Sequence, residues 1–296
     1  MIADRLRALA APVRAWAARR RKPLLVAAAV LFTGLLVWAV RDADLTLEAL
    51  DWRYLALNAF VLTPATLALN GWGITAIGWA LGARVSPGLG VATAATGTVA
   101  ELTPAPGGLL ARATVLTAAG APPRPLAQTL TACAGMFIGM SMMAAALSLV
   151  ARGDLGVAPL IIGAVGLVGM LIGLGLLIAC CAPGGVLVLW AHRLASLMLA
   201  LCRVWCAFAA VGAPIAWGDA PLFVAAGVIG ALVFVVPAGM GVVELVAAGA
   251  APLIGVGAAA AIAATALNRL LGLGLAALVV SLAVERVSRG PDWGDG

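Results

Sequence analysis

Residues 101–113 read "ELTPAPGGLLARA". A glutamate and an arginine bracket two prolines and two glycines in a chain that is otherwise mostly apolar. Apolar side chains make up 64% of the 296 residues and charged ones 10%, where an ordinary soluble domain carries about 25% charged residues. Mean hydropathy is +1.13. Too few polar residues remain to cover a soluble surface, and apolar runs long enough to span a bilayer recur along the chain. The chain therefore reads as an all-α polytopic membrane protein. Inside such a protein a Pro/Gly break has to line a cavity or be buried in protein, because lipid cannot satisfy the backbone groups it frees. Two half-helices joined within the membrane fit residues 86–122, and a surface loop is the competing reading.

The same grammar returns in the last third. Residues 220–254 run apolar into Pro237-Ala238-Gly239-Met240-Gly241, and an apolar half with Glu244 follows. "LTAAGA" at 116–121 matches "LVAAGA" at 245–250, and Pro122 and Pro252 close the two pieces. The shared order of apolar segment, charged break, half-helix and proline loop points to an internal repeat of two re-entrant hairpins. Around them, spans are expected at 23–40, 54–81, 126–150, 158–182 and 258–284, giving about 6–8 membrane segments in one domain, 23–284. The run 54–81 would reach about 42 Å as a helix, so it should tilt or break near Pro64 or Asn70-Gly71-Trp72-Gly73. Gly135 with Gly139, and Gly169 with Gly173, have the GxxxG spacing of close helix packing. The run 186–212 is interrupted by His192, Arg193 and Arg203 and is expected to lie at the interface rather than to span.

Basic residues outnumber acidic ones by 18 to 12, and the excess is local. Arg5, Arg7, Arg14, Arg19, Arg20, Arg21 and Lys22 crowd residues 1–22, which places the N-terminus in the cytoplasm. Ile2, Leu6, Leu9, Val13 and Trp16 share one helical face beside those cations, as in a helix lying on an anionic leaflet. Residues 285–296 form a polar tail. A nucleic-acid partner is not expected, because no basic folded surface is available. The cysteines and the single His192 do not assemble a metal site. No nucleotide loop or HExxH motif occurs, so no cofactor and no enzymatic activity are expected. No small-residue cleavage pattern follows the first apolar run, so a cleaved signal peptide is not expected.

Ionisable groups at membrane depth are costly, and away from the loops the census leaves Glu101, Arg112, Glu244 and Arg269. Each acid is expected to pair with a base, since both lie beside a break. The half-helices after Gly108 and Gly241 would point free N–H donors into the protein, which with Arg112 suits an anionic group such as phosphate. Paired broken helices in corresponding halves mark the substrate site of many transporters. Ordinary packing is the alternative: an Arg–Glu pair can simply hold two helices together. The expected substrate-binding set is Glu101, Pro106, Gly107, Gly108, Arg112, Pro237, Gly239, Gly241, Glu244 and Arg269.

Pro106-Gly107-Gly108-Leu109 with Arg112, the run from Pro237 to Glu244, and Arg269 together resemble the lysylphosphatidylglycerol synthase transmembrane family, which includes the flippase domain of the multiple peptide resistance factor. The resemblance covers most of the chain after about residue 20. Val243 stands where the second signature usually has arginine, and Leu110 where the first often has glycine. The resemblance implies a lipid translocase in a bacterial cytoplasmic (inner) membrane. Its partners would be phospholipid or aminoacylated phospholipid head groups, or a hopanoid-type lipid, and an oligomer is compatible with it. A cytosolic aminoacyl-transfer domain is not expected, so the implied activity is lipid movement rather than synthesis. A non-transporting accessory or scaffold subunit of a lipid-modifying complex is the alternative, and an intramembrane lipid enzyme is a third.

Overall fold

A computed structural model describes residues 21–42, 46, 48–102, 107–233, 236 and 239–288. Almost all of the expected amphipathic helix at 1–22, the end of the tail, and the site residues Pro106 and Pro237 lie outside these residues. The described residues are mostly helical, and none is in a strand. The helices are α1 Arg21–Asp42, α2 Trp52–Ala80, α3 Pro87–Ala100, α4 Gly107–Ala118, α5 Pro123–Ala151, α6 Val157–Cys180, α7 Pro183–Ala210, α8 Ala220–Leu232, α9 Val242–Ala250 and α10 Ala258–Ser288.

Five helices are long and apolar enough to cross a membrane: α2, α5, α6, α7 and α10 over Ala258–Ala283. The chain is an integral membrane protein. The segment expected at the interface, 186–212, is part of α7, a single helix of 28 residues. Its polar groups do not face an aqueous surface. His192 is buried, and its Nε2 lies 3.0 Å from the Leu69 carbonyl of α2. Arg203 is likewise turned toward α2 and α10. Length, composition and the inward direction of these groups all suit a spanning position.

α2 stays continuous through Asn70–Gly73 but passes through a π-turn at Asn58–Leu62. Pro64 lacks an N–H and crowds the carbonyl four residues earlier, and a π-turn just before it relieves that conflict. Gly71 and Gly73 serve packing rather than bending. A Cβ at Gly71 would meet the Val91 backbone of α3 at 2.6 Å, and one at Gly73 would collide with the His192 ring.

α5 and α6 form a close antiparallel hairpin. A Cβ on Gly139 would lie 2.6 Å from the Met170 N and 2.7 Å from the Gly166 O, so backbone meets backbone there. Gly166 and Gly173 make similar approaches from α6, whereas Gly135 has ordinary room at 3.6 Å. Small residues allow this approach, which dispersion and packing then stabilise without help from a hydrophobic drive.

α3 packs on α4, and α8 on α9. The bases of these two short hairpins sit at opposite ends of α5. α4 leads through residues 119–122 into the Pro123 end. At the other end Arg152, just past α5, donates from Nε to Asp219 Oδ1 at 2.6 Å and from Nη2 to Oδ2 at 2.5 Å. Its Nη1 also donates to the Leu253 carbonyl at 3.4 Å. Asp219 immediately precedes α8, and Leu253 lies in the 3₁₀ turn Ala251–Ile254 after α9. Asp219 is thus a buried partner rather than a solvated helix end. Twenty-nine residues of α5 separate the two bases by about 43 Å. The last helix, α10, packs on both α3 and α9.

Candidate functional site

The first hairpin closes on two glycines. A Cβ at Gly108 would sit 2.7 Å from Glu101 Oε1, 2.9 Å from Glu101 Cγ and 2.9 Å from the Gly97 carbonyl. Only glycine lets the first turn of α4 press against α3 while the Glu101 side chain folds over it. Gly107 opens α4 beside it. The carboxylate therefore lies at the N-terminal end of α4, where free N–H donors and the helix dipole favour an anion. Arg112, one turn further on, reaches back so that its Nη2 lies 3.7 Å from Glu101 Oε1. This pair is accessible: the side chains are 50% exposed for Glu101 and 31% for Arg112.

The second hairpin makes the same arrangement in a different order. Gly241 is the N-cap of α9 with φ 81°, and Gly239 before it has φ 64°. Both need the left-handed region that glycine tolerates. Gly239 also lies against Gly230 of α8, whose carbonyl would be 2.6 Å from an added Cβ. Glu244, the third residue of α9, turns back so that the Gly241 N–H donates to its Oε2 at 2.8 Å. Its Oε1 lies 3.5 Å from Arg269 Nη2 on α10. Here the pair is enclosed, with the Glu244 side chain at 0% exposure and Arg269 at 13%. Val243 is buried and its side chain occupies the space above Gly230, so a guanidinium at 243 would have no room. The cation for Glu244 comes from α10 instead.

The expected residues thus fall into two groups. Glu101, Gly107, Gly108 and Arg112 form one, and Gly239, Gly241, Glu244 and Arg269 form the other. Among the described residues no ion pair or hydrogen bond joins the groups. One expectation is refined. The half-helix N-termini carry glutamate side chains, so neither end is an open anion cradle. Each break holds an internal carboxylate clamped between a helix N-terminus and an arginine.

Sequence reasoning did not place two further cations of α7 in these groups. Arg193 lies close enough to Arg112 for their charges to interact, and it approaches the Cys133 thiol of α5. Arg203 donates from Nη2 to the Asn268 carbonyl at 2.8 Å and from Nε to Asn58 Oδ1 at 3.4 Å. Asn58 returns a bond from Nδ2 to the Arg203 carbonyl at 3.1 Å, and it sits in the π-turn of α2. The signal was present. Read as a span, residues 183–210 carry both arginines well inside their ends. Several polar atoms around the pairs are buried without a hydrogen-bond partner: Glu244 Oε1, Asn268 Oδ1, Arg269 Nη1 and Arg193 Nε. Buried polar groups are seldom left unmatched, and such orphans mark places where a ligand or water completes the arrangement.

The five cysteines are free thiols. Cys180 and Cys181 lie within 3.3 and 3.7 Å of the Thr129 hydroxyl near the turn from α6 to α7. Comparison of the chain with protein-family models, with curated proteins and with solved structures finds no match.

Proposed function

We propose that the protein is a lipid translocase that moves a polar, phosphate-bearing lipid between leaflets. The two short hairpins are read as re-entrant. Their helices have 14 and 12 residues in the first and 13 and 9 in the second, or about 14–21 Å each, too short to cross a hydrocarbon core of about 30 Å. Because their bases lie at opposite ends of α5, they enter from opposite faces and bring their breaks toward the middle. This is the inverted arrangement that builds a midplane site in many transporters. With α1 and the five long helices, the two hairpins make eight membrane segments, within the 6–8 expected. The basic N-terminus sets the cytoplasmic side, and the resemblance to the lysylphosphatidylglycerol synthase transmembrane family favours a bacterial inner membrane.

The observation that carries the reading is the pair of glutamate–arginine clamps, one at each opposed break. A purely structural pair would gain from close contact and full hydrogen bonding. Instead the Glu101–Arg112 pair is partly exposed and separated by 3.7 Å, and the Glu244–Arg269 pair leaves Oε1 and Nη1 without a hydrogen bond. A head-group phosphate entering between the hairpins would complete the arginines while its tails stayed in the bilayer. Exchange of the internal carboxylate for the ligand would give entry and release without a large energetic trap.

Purified protein reconstituted into liposomes should move fluorescently labelled phospholipid across the bilayer, read by dithionite quenching. Arg112→Ala should slow this at least fivefold. Transport by Arg112→Ala equal to the parent, at equal reconstituted protein, would remove the first clamp from the mechanism.

A further inference from the structure

Three ion pairs occur among the described residues: Glu101–Arg112, Arg152–Asp219 and Glu244–Arg269. Neither Arg193 nor Arg203 takes part in one, although both lie deep in a spanning helix. Arg193 is about 15 Å from the Pro183 end of α7, and Arg203 about 10 Å from its Ala210 end. Among the described residues Arg203 has only neutral acceptors, the Asn58 amide oxygen and the Asn268 carbonyl. Arg193 meets a thiol, and its buried Nε donates to nothing.

Each clamp therefore uses one carboxylate and one guanidinium, and both α7 arginines stay outside the two pairs. At the first, Glu101 is paired with Arg112, and Arg193 brings a second positive charge toward Arg112. At the second, Arg269 has Glu244, and Arg203 holds the carbonyl of the residue next to Arg269. Both carboxylates are already committed, Glu101 over Gly108 with Arg112 and Glu244 to the Gly241 N–H with Arg269. Among the described residues neither Arg193 nor Arg203 has an acidic partner. In a low-dielectric surrounding a lone buried cation is strongly disfavoured, so its counter-charge has to come from what binds.

We infer that Arg193 and Arg203 are specificity-determining residues that select a net-anionic, phosphate-bearing lipid head group. The lipid part of this inference rests on the translocase reading, and the sign of the charge rests on the arginine excess alone. A zwitterionic head group brings its own ammonium and leaves the excess unbalanced, and an aminoacylated one adds to it. Guanidinium suits the task because it forks onto two phosphate oxygens.

Native mass spectrometry of the full chain in detergent tests this without any transport step. The probes are phosphatidylglycerol, phosphatidylcholine and lysyl-phosphatidylglycerol of matched chains. Phosphatidylglycerol should be retained at least tenfold over the other two. Arg193→Gln with Arg203→Gln should abolish that preference, and Arg193→Lys with Arg203→Lys should keep part of it. Equal retention of the three lipids by the parent overturns the inference, and needs no variant to fold. An undiminished preference in the double glutamine variant also overturns it, by assigning the selectivity to surface cations. A hundredfold excess of inorganic phosphate should leave the lipid bound, and complete displacement would overturn its assignment to a lipid. Selective binding without flipping in liposomes would sink the translocase reading and leave this inference standing. Flipping of all three lipids at one rate would do the reverse.

Discussion

Glu244→Gln isolates the charge of the buried clamp. A glutamine at the third position of α9 can still accept from the Gly241 N–H, so the cap survives and only the negative charge is lost. Arg269 then faces a neutral amide from 3.5 Å, with 13% of its side chain exposed. At that distance and an effective dielectric constant near 20, the lost attraction is about 5 kcal/mol. Relaxation of Arg269 toward other acceptors reduces this, and broken buried pairs cost about 3–5 kcal/mol. The variant should lower the apparent Tm in detergent by roughly 5–10 °C, followed by intrinsic fluorescence. Glu244→Gln combined with Arg269→Gln removes both charges and should recover at least half of that loss, because neither is left unpaired. A Tm for Glu244→Gln within a degree of the parent would refute the reasoning, showing that Arg269 is neutralised by something other than Glu244. A double variant worse than the sum of the two singles would do so as well.

Gly108→Ala should destabilise the protein by roughly 1–3 kcal/mol, since a methyl group there meets the Gly97 carbonyl at 2.9 Å; a lower apparent Tm in detergent would report it, and an unchanged one would count against the close approach. In the α5–α6 hairpin, Gly139→Ala should cost about 1–3 kcal/mol, whereas Gly135→Ala should cost under about 0.5 kcal/mol, because only the former drives a methyl into backbone. Equal melting temperatures for the two variants would contradict this packing. Asp219→Asn should loosen the base of the second hairpin by roughly 1–2 kcal/mol, discounted because Arg152 is about one-third exposed; increased protease cleavage within 211–219 is the expected sign, and unchanged cleavage would count against the clasp.

Much of the architecture was legible along the chain. Apolar runs of bilayer length announced the long helices, because the hydrocarbon core imposes a length that composition alone can meet. Pro/Gly breaks beside Glu101 and Glu244 announced the two short hairpins, since such breaks are costly in lipid wherever they are not used. The pairing of each glutamate with Arg112 and Arg269 also followed from cost, because few charges were available at depth. The run 183–210 was harder. Arg203 looks like an interfacial anchor in sequence and becomes an inward-facing group only when α2 and α10 supply partners.

What the sequence by itself determined is the membrane class, the position of most of the long helices and the residues that break the short ones, all of which depend on local transfer energies and backbone chemistry. What only the tertiary structure decided is direction and partnership. Opposite placement of the hairpins follows from Arg152 gripping Asp219 and Leu253 at one end of α5 while α4 joins the other. Occupation of the half-helix ends by Glu101 and Glu244 depends on glycines that allow two chains to approach. The unmatched cations of α7 emerge from counting charges in space. Helix periodicity tells which residues share a face, but the neighbour that face meets is fixed by packing between segments far apart in sequence.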